Sequence, residues 1–240
     1  MSSVPAISTE SAAWLCGLLQ AGDSYYPTGA YAHSFGLEGL VQVGVVKDAA
    51  TLRDFAIASV LPALRQLDLP LAAHAWRALD PAHTDWDQVG ELCTLSHVLK
   101  SAREPRHASD NIGRQRAELL VKLHAHPLAI EYQRRVIAGG WPHSAPVSAA
   151  LEGRVHGAPL VAVLTGLTYA SLSGQIAAAM KLIRLGQNAA QSLLTELLAR
   201  APDAIAHAAE VPLEEIGWFN PWLDVACARH ETSDFRLFIS

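Results

Sequence analysis

Ala and Leu dominate this chain, at 41 and 33 of its 240 residues. They recur at three- and four-residue spacings, punctuated by Pro and Gly. Both are strong helix formers, and a 3.6-residue repeat gathers them into a stripe that has to be covered. Alternating β-branched runs bounded by turns are scarce. The expected architecture is all-α: a single compact helical domain of about ten helices over residues 1–240, with a flexible N-terminus (1–10) and a C-terminal docking tail (232–240). No Pro/Gly/Ser-rich linker and no repeat of 20–50 residues argues for a second unit.

Local punctuation places the helices. Ser11 is expected to cap a helix through Gln20, with Trp14, Leu15, Leu18 and Leu19 on its apolar side and Cys16 as a small core residue. Asp48 caps a long segment that Pro62 and Pro70 are expected to bend or divide. Further helices are expected from Thr84 to about Lys100, from Arg103 to His124, and from Pro127 to Ile137. Gly139-Gly140-Trp141-Pro142 is a break. Between Gly157 and Met180 no residue is charged, a length that could span a bilayer. Thr165, Thr168, Ser171, Ser173, Gly174 and Gln175 interrupt it, so a buried helix pair, Pro159–Ala170 and Ser173–Leu185, is the expectation, with no membrane span. Gly186 reads as a C-terminal cap, Pro202 opens another helix, and Asn220-Pro221 opens the last, to about Glu231.

The charge balance of −5 lacks the clustered Lys/Arg that nucleic acid requires, so no nucleic-acid partner is expected. Cys16, Cys93 and Cys227 are too scattered for a disulfide framework and fit a reducing cytoplasm. No basic region precedes an apolar run at the N-terminus, so a secretory signal is not expected. The sequence holds no phosphate-binding loop, no HExxH and no GxSxG. His124-Ala125-His126 has metal-ligand spacing but reads as a solvated helix end. His83 and His207 are isolated. Asp85/Asp87, Asp203/Glu210 and Glu214-Glu215 sit where helix dipoles stabilise carboxylates. Glu91…His97 and Glu118…His124 lie six apart, on different faces, which disfavours a bundle metalloenzyme. The chain is not expected to be an enzyme.

Two stretches depart from ordinary helical logic. Residues 23–38, Asp23 to Glu38, form an aromatic, glycine-rich connection, either packed on itself or presented for binding. Residues 228–240 are charged and then apolar to the end, where most termini are polar. Such a terminus has to bury against its own core, a second copy or a partner.

Four collinear patterns are similar to the urease accessory protein F (UreF) family. The first is Leu18-Leu19-Gln20 with Pro27-Thr28-Gly29-Ala30-Tyr31-Ala32-His33-Ser34-Phe35-Gly36-Leu37-Glu38. The second is Arg103-Glu104 with Ser109 and Gly113. The third is Leu172 to Gln187, with Gly174 and Arg184 in place of the usual Asn and Pro. The fourth is Arg229-His230-Glu231 leading to Arg236-Leu237-Phe238. Pro105 is unusual within the second pattern, and Ser233-Asp234-Phe235 shifts the fourth. The resemblance implies a non-enzymatic adaptor in urease maturation. It would bridge a D/H-type accessory protein and a G-type GTPase, form homodimers, and deliver nickel to urease apoenzyme, with GTP hydrolysis coupled to the transfer. No cofactor is implied to stay bound: nickel is in transit and GTP sits on the partner. Carried onto this sequence, the partner-binding residues are Tyr31, His33, Glu38, Lys181, Arg229, His230, Glu231, Arg236, Leu237 and Phe238. Arg236 is expected to pin the tail against the Tyr31 region. No metal site is implied; His33 and His230 are transit candidates, each weak as a lone imidazole. The alternative is an all-α scaffold in another pathway.

Overall fold

Side-chain capping sets several of the helix starts. The chain, in a computed structural model, is described over residues 9–233 and 235–239. Segment 1–8, Asp234 and Ser240, which include most of the expected flexible N-terminus and part of the tail, lie outside the described residues. The helices are α1 (Thr9–Ala21), α2 (Leu37–Gln42), α3 (Ala49–Ala78), α4 (Trp86–Val98), α5 (Arg103–His124), α6 (Pro127–Gly139), α7 (Ala145–His156), α8 (Leu160–Leu182), α9 (Gln187–Leu198), α10 (Ala201–Glu210) and α11 (Pro221–Glu231). No strand occurs among the described residues, so the fold is all-α. Asp48, Asp85, Ser144 and Asn220 each accept a backbone N–H of the first turn they precede, the satisfaction that helix N-termini need. Pro105 falls in the first turn of α5, where a missing N–H costs nothing.

Pro62 and Pro70 do not divide α3. The residue before each proline donates to the carbonyl five residues back: Leu61 to Ala56 and Leu69 to Leu64. These π-type turns widen the helix ahead of each ring and let the run continue for 30 residues. The apolar run after Pro159 is likewise one 23-residue helix, α8, not a pair. Thr165, Thr168 and Ser173 bond back to the carbonyls of Val161, Leu164 and Ala170. Hydroxyls satisfied within the helix do not interrupt it. Gly186 precedes α9 as its N-cap residue and does not close the helix before it.

Two apolar clusters meet along α3. Leu64 and Leu69 pack with Leu164, Leu172, Leu193 and Phe238, while Leu67 and Leu71 pack with Leu92, Leu120, Tyr132 and Leu151. A close crossing of α5 on α7 organises the second. A Cβ on Gly113 would stand 2.6 Å from the Ser144 backbone, so only glycine lets the α7 N-terminus approach. There Ala145 N donates to Ser109 Oγ at 3.2 Å and Ser144 Oγ to Ser96 Oγ at 2.8 Å. Ser109 and Gly113, two residues of the second sequence pattern, thus fix one helix junction.

α1 departs from expectation. Leu15, Leu19 and Cys16 are exposed, so Cys16 is no core residue. Its neighbour α8 also leaves Val161, Tyr169 and Met180 exposed. By length and composition, α3 and α8 are each apolar enough to cross a membrane; 56% of the most apolar window of α3 is buried, against 28% for α8.

Candidate functional site

The site is built by a loop, four helices and the tail. α2 crosses α11 at Gly39, where a Cβ would lie 2.6 Å from Ala226 O. That approach brings Glu38, the residue before it, over the last turn of α11. His230 is wholly buried there. Its Nε2 lies 2.9 Å from Glu38 Oε2 and its Nδ1 2.8 Å from Glu104 Oε2 on the first turn of α5. Both carboxylates are nearly buried themselves.

The tail closes over these two acids. Leu237 N donates to Glu38 Oε1 at 2.8 Å, Phe238 N to Glu38 Oε2 at 2.9 Å, and Arg236 to Glu104 Oε1 at 3.2 Å. Beyond the acids, Ile239 N donates to Ala32 O at 2.9 Å and Gln42 Nε2 to Phe235 O at 2.9 Å. The chain bends at Leu237 and Phe238, which lets two consecutive N–H groups meet one carboxylate. Phe238 points into the core at 5% exposure, while Phe235, Leu237 and Ile239 are exposed. Burial pushes the Glu38 carboxyl up, but the Leu237 and Phe238 N–H groups together with His230 outweigh it and hold it below its ordinary value of 4.5.

Lys181 of α8 closes the other flank. Its ammonium stands 3.5 Å from the centroid of the exposed Tyr31 ring and 5.1 Å from that of Phe238, within cation–π range. On the same helix, Gln175 Nε2 donates to Ser34 O at 3.1 Å, tying the 23–38 loop to α8. The loop is part packed and part presented. Tyr26 donates to the buried Glu152 at 2.6 Å, and Ser34, Leu37 and Glu38 are buried. Tyr25 and Tyr31 face outward.

Seven of the ten residues singled out in the sequence therefore converge: Tyr31, Glu38, Lys181, His230, Arg236, Leu237 and Phe238. Arg236 does not reach the Tyr31 region; its guanidinium belongs to Glu104, and Phe238 and Ile239 N make the link to that loop. His33 is buried beside the cluster, and burial pushes its imidazole below its ordinary value against the opposing pull of Glu104. Arg229 is exposed on α11, and Glu231 pairs with Arg103. With both ring nitrogens of His230 engaged by carboxylates, none is left to ligate a passing metal. Glu104 is the site residue that sequence reasoning missed. It belongs to the Arg103-Glu104 pattern, but nothing local marks it as the partner of a residue 126 positions away.

Elsewhere, His126 caps α6 through its side chain and His124 stands edge-on to His156, ring centroids 4.8 Å apart. Among the described residues no group of three or more His, Cys, Asp or Glu is arranged to hold a metal ion. A shallow groove of about 580 Å³ lined by Glu91, Thr94, Val98 and Trp141 lies on α4, away from the cluster.

Such an arrangement defines a class: an all-helical protein that spends a buried charged cluster on seating its own C-terminus and turns an apolar edge outward. The chain belongs to the UreF family of urease accessory proteins. The UreF family model matches residues 46–198. The urease accessory protein UreF of Cereibacter sphaeroides is 32% identical over 225 residues, covering 93% of this chain and 97% of the relative. That of Bacillus sp. (strain TB-90) is 28% identical over 230 residues, covering 94% and 99%.

Proposed function

We propose that this chain is a non-enzymatic adaptor of urease maturation that works in the cytoplasm. It joins a D/H-type accessory protein to a G-type GTPase so that nickel passes to urease apoenzyme. Nickel is the cargo of the assembly and GTP is held by the partner.

One observation carries this reading. The tail backbone is already fixed by the body, yet Phe235, Leu237 and Ile239 project outward, with Tyr31 exposed on the adjoining loop. A segment held in one conformation has little ordering entropy left to lose, which favours binding. Aromatic anchors with an adjacent Arg have the composition of interface hot spots. The G-type partner docks on this edge, and Arg229, exposed on α11 just ahead of the tail, extends the surface toward the D/H-type protein. A second copy covers the apolar face of α1 and α8, giving the homodimer.

Co-expression with both partners followed by size exclusion tests the reading. Arg236→Ala is expected to lose the G-type partner, because the tail no longer holds its edge in place. A chain ending after Glu231 is expected to lose the D/H-type partner as well while keeping its helical far-UV signal. An Arg236→Ala chain that still elutes with the G-type partner rejects the docking surface.

A further inference from the structure

His230 is an uncommon group to bury: an imidazole at zero exposure, flanked on both sides by carboxylates. A neutral imidazole has one N–H and one lone pair, so it satisfies one acid and turns a lone pair on the other. Only the imidazolium donates to both. The ionic count agrees, since Glu38 and Glu104 are balanced by His230 and Arg236 only when the ring is charged. Unpaired buried charge is costly. The same two acids receive Arg236 and the N–H groups of Leu237 and Phe238 with their remaining lone pairs. Three consecutive tail residues therefore hang on two carboxylates that one ring holds in place.

We propose that Glu38, His230 and Glu104 form a charge-dependent latch. With the cation between them the two acids present their remaining lone pairs to the tail; when the cluster loses its charge pairing, residues 236–239 leave the body. His230 and Glu104 are positioning residues in this device, because neither touches the Leu237 or Phe238 amide. The latch deepens the docking reading above and rests on it for its biological consequence: release of the tail removes the edge that the partner grips.

Among the described residues, the neighbouring charged and titratable groups have partners of their own or stay neutral. Arg103 of α5 pairs with Glu231. Asp224 of α11 accepts from Ser101 at 3.0 Å. Burial raises the Cys227 thiol to about 12 and lowers His33, so both stay neutral near pH 7. On the α8 side, Lys181 lies over Tyr31 and Phe238.

Amide exchange in the full chain, read by residue-resolved NMR and normalised to intrinsic rates, tests the latch without any partner. At pH 7, Glu38→Gln is expected to lower the protection of Leu237 and Phe238 by about tenfold or more, the scale of losing charge-assisted bonds. Glu104→Gln, equally isosteric, is expected to lower the same two amides several-fold through His230 and Arg236, with α5 and α7 amides unchanged. In the unsubstituted chain tail protection should fall with acid before that of α5 and α7, and in Glu104→Gln the fall should begin at higher pH. Unchanged tail protection in Glu104→Gln, or a tail lost only together with α5 and α7, overturns the proposal. Partner capture by the same variants separates the two readings. Loosened tails that still capture the G-type protein keep the latch and reject the docking edge. Unchanged tails in chains that capture normally reject the latch alone.

Discussion

At the residue scale, two buried glutamates face opposite ways with pH. Glu38 is held below 4.5, so the native state binds its proton less well than the unfolded chain. Its contribution is complete above 4.5 and disappears as the pH falls through the lowered value. Glu152 is pushed up, first by burial, against the pull of Arg116 and Tyr26. Its contribution is complete below its ordinary 4.5 and declines as the pH rises through the raised value. Arg116 Nε stands 3.2 Å from Glu152 Oε2 but is not aligned for a hydrogen bond, while its NH1 donates weakly to Ala145 O at 3.4 Å. This pair acts mainly through charge. Arg116→Ala strands an ionised carboxylate in the interior and is expected to cost about 3–5 kcal/mol in urea unfolding. Tyr26→Phe, which removes one donor from the same carboxylate, should cost about 1–2 kcal/mol. An Arg116→Ala chain of unaltered midpoint would show that the pair is not a structural charge.

At the element scale, the helix crossings are set by small residues, and each crossing carries its own consequence. Gly39→Ala forces α2 away from α11 and is expected to cost about 1–3 kcal/mol. Because Glu38 adjoins that contact, the same substitution should also lower tail-amide protection. Gly113→Ala meets the Ser144 backbone and should cost a similar amount by chemical denaturation, about 1–3 kcal/mol. It acts on the α5–α7 junction, so tail protection is expected to hold. Equal loss of tail protection in both variants would mean that the two crossings are not independent.

For the whole molecule, α1 and α8 leave apolar side chains exposed that a lone domain has no need to present. Leu15, Leu19, Val161 and Tyr169 lie on neighbouring helices and are open to water. Exposed apolar surface of this kind marks an interaction site. If a second copy covers it, Tyr169→Glu should convert a dimer to a monomer in light scattering. As the side chain is exposed in the single chain, far-UV helicity and urea midpoint of the monomer should change little. A mass that stays dimeric assigns the dimer contact to another surface.

Local chemistry settled much of this protein from the sequence. Asp48 and Asn220 cap where their side chains allow it, and Arg103 to His124 forms the helix that its periodicity indicates. The π turns ahead of Pro62 and Pro70, and the unbroken α8, follow from hydrogen bonds that single-residue propensities do not encode. Only the tertiary structure decided the site. Glu38 and His230 are separated by 192 residues and Glu104 and His230 by 126. No periodicity relates positions so far apart. Their meeting depends on how closely α2, α5 and α11 can pack, and on a buried ring that requires an acid on each side.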